Sequence, residues 1–328
     1  MAKQKEEVNE KPKRVRRVRK VTAAEQPQVE TPQQEIDLVV PMVFPSDPVW
    51  VDSLKRTREE MHRFDSEDEK SKRFRSWGLE RLMIQAALKA MPWIRRVHIL
   101  LSGETQRQAW MDKLGDNVVV HYHADFMPQD VLPTFSPMAI ELYLHRIPDL
   151  ADRFIYANDD MFAVGKLKPT DFFTEDGKAV WMPDIELNKR NAFHRMCNKG
   201  LQLAAKDAGK ELFSDKYVWL TGHGFSPLLK ATIEDVWSRQ AKELTEASLR
   251  FRDSESLNQY LWLYCQTLRG ECVKDRHNIV FLTTTASEKD VQRAFDAKTA
   301  KVVCVNDLGD GNHKKVSLWI ADALSVNP

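Results

Sequence analysis

The sequence predicts an α/β protein, a mostly parallel sheet flanked by helices with additional C-terminal helices. Two observations carry this. Over residues 36–164, short apolar runs alternate with segments of helical periodicity, the rhythm of βα units. Hydrophobic residues make up 42% of the 328 positions, with 15 Phe and 9 Trp, enough for a sizeable core. Residues 1–35 stand apart as a polar, Lys/Arg/Glu/Gln/Pro-rich segment without an aromatic residue. The domain reading is therefore a disordered basic arm over 1–35 and one α/β domain over 36–328. Within that domain, 36–164 is the sheet core, and 165–328 holds helical additions and late strands.

The run "IDLVVPMVF" (36–44) reads as a buried first strand, followed by the turn "PSDPVW". The charged stretch 59–74 reads as an exposed helix. "GLERLMIQAALKAM" (78–91) has apolar residues at helical spacing and is stopped by Pro92. "RVHILLS" (96–102) and "NVVVHYH" (117–123) are further strands, with a helix expected at 105–115 between them, closed by Gly115. A helix over 136–147 has Ser136 as its N-cap and Pro137 at its first position. A fourth strand begins at Arg153 and runs into Asn158-Asp159-Asp160. Beyond it, a loop and hairpin fill 165–181. Helices are expected around 190–212, after Gly222-His223-Gly224, and over 253–270. Late strands are expected at 278–285 and 300–307.

Net charge is +1, which excludes a strongly basic polyanion binder or an acidic solvating chain. The four cysteines form no CxxC pair and read as free thiols of a reducing compartment. No apolar run reaches the ~18 residues of a membrane span, and the N-terminus lacks a signal-peptide core. The expectation is a cytoplasmic protein, with the basic run "KPKRVRRVRK" (11–20) as the candidate for peripheral contact with the inner face of a membrane. No nucleic-acid partner is expected.

Ligands of open α/β sheets bind beyond the carboxyl ends of strands, where Asn158-Asp159-Asp160 falls. Adjacent carboxylates there suit Mg²⁺ or Mn²⁺ shared with a diphosphate, although Asn and Asp are also ordinary turn residues. His223 lies between glycines that let backbone approach a ligand, and imidazole moves protons near neutral pH. Arg252, before a predicted helix, and Arg73 and Arg75, before the 78–91 helix, are candidates for clamping phosphate. His121 and His123 alternate on a strand and read as strand-face histidines without a third zinc ligand.

Together these segments resemble the Stealth family of sugar-phosphate transferases. Its members include bacterial capsular polysaccharide phosphotransferases and the catalytic part of the lysosomal-enzyme GlcNAc-1-phosphotransferase. The strongest part is "RFRSWGLERLMIQAALKAMPWIRRVHILLSGE" (73–104) followed by 123–162, where "LPTFSPMAIE", "LHRIPDL" and "NDDMF" occur in order. "IDLVVPMVFPSDPVW" is similar to the first block, "HGFSPLLK" (223–230) to the third and "FRDSESLNQYLW" (251–262) to the fourth. The resemblance implies a nucleotide-sugar-transferase-like (GT-A/Rossmann-like) fold and a divalent cation, Mg²⁺ or Mn²⁺. It also implies transfer of hexose-1-phosphate from a nucleotide-diphosphate sugar donor to a hydroxyl of a glycan acceptor. Carried over residue by residue, Asp159 and Asp160 are metal ligands. His223, Arg252 and Asp160 are catalytic, and Asp47, Arg73, Arg75 and Asn158 are substrate-binding. The first block departs from the family's Trp-Val-Asp-Gly-Ser-Asp-Pro pattern: Phe44 and Pro45 replace Asp-Gly, and only Asp47 keeps a carboxylate. After the second strand, Ser102-Gly103 replaces another Asp-Gly. The alternatives are a GT-A-like glycosyltransferase releasing nucleoside diphosphate, or an inactive member acting as a binding protein.

Overall fold

The chain runs from β1 (Ile36–Pro41) through α1 (Pro48–Glu60) and α2 (Glu80–Ala90) to β2 (Val97–Leu101), β3 (Val118–Tyr122), α3 (Pro137–Leu142) and β4 (Arg153–Tyr156). It continues through β5 (Met161–Ala163), β6 (Ala179–Val180), β7 (Asp184–Leu187), α4 (Ala192–Asp207), β8 (Tyr217–Leu220), β9 (Ser226–Leu229), α5 (Lys230–Glu246) and α6 (Tyr260–Leu268). Last come β10 (Cys272–Val273), β11 (Ile279–Thr283), α7 (Glu288–Ala294), β12 (Val302–Asn306) and α8 (His313–Val326). This computed structural model describes residues 35–62, 74–211, 215–220, 223–275, 278–296, 298–307 and 311–326. The basic run 11–20 and Arg73 lie outside the described residues. Glu35–Pro328 form one compact unit.

The main sheet has the order β3-β2-β1-β4-β9, with every pair parallel except β4 and β9. Because the chain builds outward from β1 through β2 to β3, then returns to the other side of β1 for β4, the order reverses between β1 and β4. In open α/β sheets that switch point is where a crevice forms. Alternate residues feed two cores, as strand pleating requires. Leu38, Val40, Ile99 and Ile155 face one core with α2, while Val39, Leu100, Phe154 and Tyr156 face the other with α4 and α6. A second sheet, β11-β12-β5, is attached where the Val305 N–H donates to the Asp160 carbonyl (2.9 Å).

A polar network crosses β1, β2 and β3. The Asp37 carboxylate is fully buried and accepts from Arg95 Nε (2.9 Å), Arg95 Nη2 (2.6 Å), Arg96 N (3.1 Å) and Ala151 N (2.8 Å). It also pairs with His98 Nε2 (3.0 Å), while His98 Nδ1 meets His121 Nε2 (2.9 Å). An ionised carboxylate only accepts, so His98 donates to it from Nε2. His121 therefore belongs to this network, whereas β3 ends at Tyr122 and His123 opens the following 3₁₀ turn. The two histidines do not share one strand face.

Several expected elements shift, each for a local reason. The first helix is Pro48–Glu60, because Asp47 caps it and Pro48 occupies its first turn; most of the helix expected at 59–74 lies outside the described residues. The 105–115 segment forms only 3₁₀ turns at Glu104–Gln106 and Met111–Lys113. There Thr105 and Gln106 turn their side chains onto Asp47 and the Phe44 backbone, and such bonds compete with helix. Ser136 gives α3 no side-chain cap, and α3 stops at Leu142 before a 3₁₀ turn over Leu144–Arg146. The helix expected from 253 starts at Tyr260, because Asp253 Oδ1 accepts from Glu255 N (3.1 Å) in a separate turn. The hairpin expected at 165–181 forms in a short version, with Phe173 and Ala179 in an antiparallel bridge and Val180 N donating to the Phe172 carbonyl (2.8 Å), and β6 pairs in parallel with β10 as well. Strand β9 carries Pro227 at the sheet edge, where a missing N–H is tolerated.

Candidate active site

A cleft of about 1150 Å³ opens at the carboxyl ends of β1, β2 and β4. Its walls include Pro41 at the end of β1 and Met42 after it, Ser102 after β2, and Asn158, Asp159 and Asp160 after β4. Arg75, His223 and Arg252 line it too. Residues separated by almost 180 positions in sequence thus meet where the sheet topology places a ligand.

The acidic turn is held from both sides. Met161 N donates to the Asn158 carbonyl (3.1 Å), closing the turn, and the bond from Val305 to the Asp160 carbonyl locks it to β12. Cys304 Sγ lies 3.8 Å from Asp160 Oδ2, while Asp160 Oδ1 is buried without a hydrogen-bond partner. Burial pushes the Asp160 carboxyl up to about 6 against the opposing pull of its backbone bond, Cys304 and Arg252. Burial, the Asp160 charge and Glu80 push Asp159 well above the ordinary carboxylate range. An orphaned carboxylate oxygen beside a second, mutually repelling carboxylate fits an oxygen-preferring divalent cation. Among the described residues no group of three His, Cys, Asp or Glu side chains is arranged for a metal. A cation here would complete its shell with substrate phosphate and water, as Mg²⁺ commonly does.

The cationic side is equally anchored. Arg75 Nε faces Asp307 Oδ2 at 2.8 Å and its Nη1 meets His313 Nδ1 at 2.8 Å, so the end of β12 and the start of α8 fix its guanidinium. Arg252 acts electrostatically on both Glu141 and Asp160, lowering each. The His223 ring lies 5.2 Å from the Phe281 ring, and burial lowers its pKa below 6.5, leaving a neutral imidazole near pH 7.

Asp47 does not line the cleft. It is buried, its Oδ1 accepting from Val49 N (3.0 Å) and its Oδ2 from Thr105 Oγ1 (2.6 Å) and Gln106 Nε2 (2.9 Å). Burial opposes ionisation there, but these donors outweigh it and hold the carboxyl below 3.8. Its described role is to cap α1 and shape the turn. Phe44, which stands where the resemblance expects Asp, is packed into the core, its backbone clasped by the Gln106 amide.

Glu141 and Asp307 are not among the residues that the sequence singles out, and His123 reads there only as a strand-face histidine. Glu141 lines the cleft yet is buried, accepting from Tyr156 Oη (3.0 Å) and Gln259 N (2.7 Å). Burial raises it to about 7 against those bonds and Arg252. One signal was available: a lone glutamate within the otherwise apolar run Met138–Leu144. His123 lines the cleft with a buried, unpartnered Nε2.

A family model described as Stealth protein CR2, conserved region 2, matches residues 73–181, the segment that supplies Arg75, Glu141, Asn158, Asp159 and Asp160. A receptor polysaccharide phosphotransferase, WefC of Streptococcus gordonii, is 25% identical over 304 residues, covering 84% of this chain and 90% of the relative. Over that conserved region the chain is similar to Stealth proteins. A second relative, the capsular polysaccharide phosphotransferase WcwK of Streptococcus pneumoniae, is 26% identical over 306 residues, 84% of this chain and 91% of that one. Among solved structures, the galactosyltransferase LgtC with donor and acceptor sugar analogs covers 89% of this chain and 96% of its own, at 12% identity and TM-score 0.39. No helix among the described residues is long and apolar enough to cross a membrane.

Proposed function

We propose that this chain transfers hexose-1-phosphate from a nucleotide-diphosphate sugar to a hydroxyl of a glycan acceptor in the synthesis of a capsular or other surface polysaccharide. The observation that carries the reading is the convergence of Asp159, Asp160, Arg75, Arg252 and His223 on one cleft at the β1/β4 switch point. The names of the polysaccharide phosphotransferase relatives support the same reaction class.

The acceptor oxygen attacks the phosphorus that bears the sugar. A new P–O bond forms, the bond to the bridging oxygen of the diphosphate breaks, and nucleoside monophosphate leaves with that electron pair. Such transfers depend mainly on positioning and on neutralising oxygen charge. His223, kept neutral by burial, takes the acceptor's proton. Arg252 offsets charge on the transferred phosphate, and Arg75, held by Asp307 and His313, orients the donor diphosphate. Asp159 and Asp160 would hold Mg²⁺ or Mn²⁺, which supplies further charge neutralisation on the diphosphate when bound. The basic run 11–20 would bring the protein to the cytoplasmic face of a membrane.

Two outcomes follow. Incubation with a panel of nucleotide-diphosphate sugars, glycan acceptors and Mg²⁺ releases nucleoside monophosphate only when an acceptor is present; release of diphosphate instead would assign glycosyl transfer. Replacement of His223 by Asn lowers kcat by about 10²–10⁴-fold. In the parent enzyme, the acid limb of kcat/KM has its midpoint below 6.5, since burial favours neutral imidazole, and the variant lacks that limb. An unchanged pH profile would remove His223 from proton transfer.

A further inference from the structure

A second cavity of about 670 Å³ adjoins the cleft, and His223 and Phe193 stand in the walls of both. Its size falls within the ~300–1,000 Å³ of small-molecule sites. Its remaining lining combines aromatic faces with carboxylates. Trp181 follows β6, Phe281 comes from β11, and Asp184 and Glu186 stand two positions apart on β7 and so face one side. Phe281 is 41% exposed and packs against the His223 ring, placing an open aromatic surface beside the proposed base. Asp184 is half-buried, whereas Glu186, paired with Lys189 at 3.3 Å, is exposed.

This combination has a chemical meaning. A pyranose ring presents an apolar C–H face, which an aromatic ring covers, and a rim of hydroxyls, which ionised carboxylates can accept from but not donate to. Carboxylates also disfavour an anionic ring through like-charge repulsion and favour an amino group. The donor cleft, by contrast, offers Arg75 and Arg252 to phosphate. The two cavities therefore divide the substrates by charge, with His223 between them.

Resting on the transfer reading above, we propose that this cavity is the acceptor subsite. It takes the terminal ring of a neutral or amino-bearing glycan and holds the attacking hydroxyl against His223. The test is titration calorimetry of the full chain with trisaccharides ending in a hexose, a hexosamine or a uronic acid. Pyrophosphate with Mg²⁺ serves as a separate probe of the donor cleft. Phe281→Ala and Asp184→Asn, each checked for an unchanged far-UV spectrum, weaken the best trisaccharide by about tenfold, equivalent to about 1.4 kcal/mol, and leave pyrophosphate within about twofold. The uronate-terminated sugar binds more weakly than the other two. Trisaccharide affinity unmoved by both variants overturns the assignment, as does no trisaccharide binding by the parent chain. Parallel loss of pyrophosphate overturns it by making the cavity part of the donor cleft. Equal binding of the uronate overturns the charge class. Variant-sensitive trisaccharide binding without monophosphate release in the transfer assay supports the subsite and overturns the transfer reading.

Discussion

Replacing Asp160 with alanine lowers turnover by at least about 10³-fold while leaving the chain folded, because charge neutralisation at the diphosphate is the largest single contribution to phosphoryl transfer. The backbone role of this residue survives the change, since the bond from Val305 uses the Asp160 carbonyl. Removing the side chain also removes a carboxylate crowded against Asp159, with one oxygen that has no hydrogen-bond partner. Without metal, the melting temperature of Asp160→Asn is therefore equal to or above that of the parent. The pH dependence has a definite sign. A carboxyl whose folded pKa is raised from 3.8 to about 6 binds more protons folded than unfolded across that window, so its contribution falls as pH rises through it. The stability difference between parent and Asp160→Asn shifts toward the variant over the same window. Adding Mg²⁺ or Mn²⁺ raises the parent's melting temperature and not the variant's, as binding to the native state alone requires. Near-normal turnover in Asp160→Ala, or equal metal stabilisation of both proteins, would remove Asp160 from the metal site.

Replacing Asp37 with alanine destabilises the fold by about 3–5 kcal/mol, the cost of leaving charged and polar groups without their buried partner. The Arg95 guanidinium, His98 Nε2 and two backbone N–H groups all converge on this carboxylate. Burial alone would raise its pKa, but His98, Arg95 and the Ala151 N–H outweigh it and bring it down to about 2. A depressed carboxyl contributes fully above 3.8 and loses that contribution as pH falls toward about 2. Urea titration at neutral pH measures the loss. A change below about 1 kcal/mol, the scale of an exposed ion pair, would show that the network does not hold the centre of the sheet.

How much was legible in advance follows from which forces are local. The apolar strands β1, β2, β3 and β4 and the amphipathic helix α2 were readable because their periodicity and punctuation lie within a few residues. The acidic pair was readable as a strand-end feature, and its neighbours Arg252 and His223 through the family blocks. Asp47 looked like a ligand and is engaged as a helix cap, because its partners Thr105 and Gln106 lie almost 60 residues away. The 105–115 helix failed for the same reason, as those side chains bond to the 44–47 turn instead. Glu141 was passed over because its bonds to Tyr156 and Gln259 exist only after α3, β4 and α6 pack together.

The alternation of elements, the carboxylates at a strand end and the family blocks are legible from side-chain spacing along a few turns of chain. Folding is what brings β4 back beside β1 to open the cleft, leaves Asp160 with an unpartnered oxygen and sets His223 between two cavities. Those features depend on parallel pairing and packing between distant segments, whose partners are chosen by burial of the whole core rather than by any local pattern.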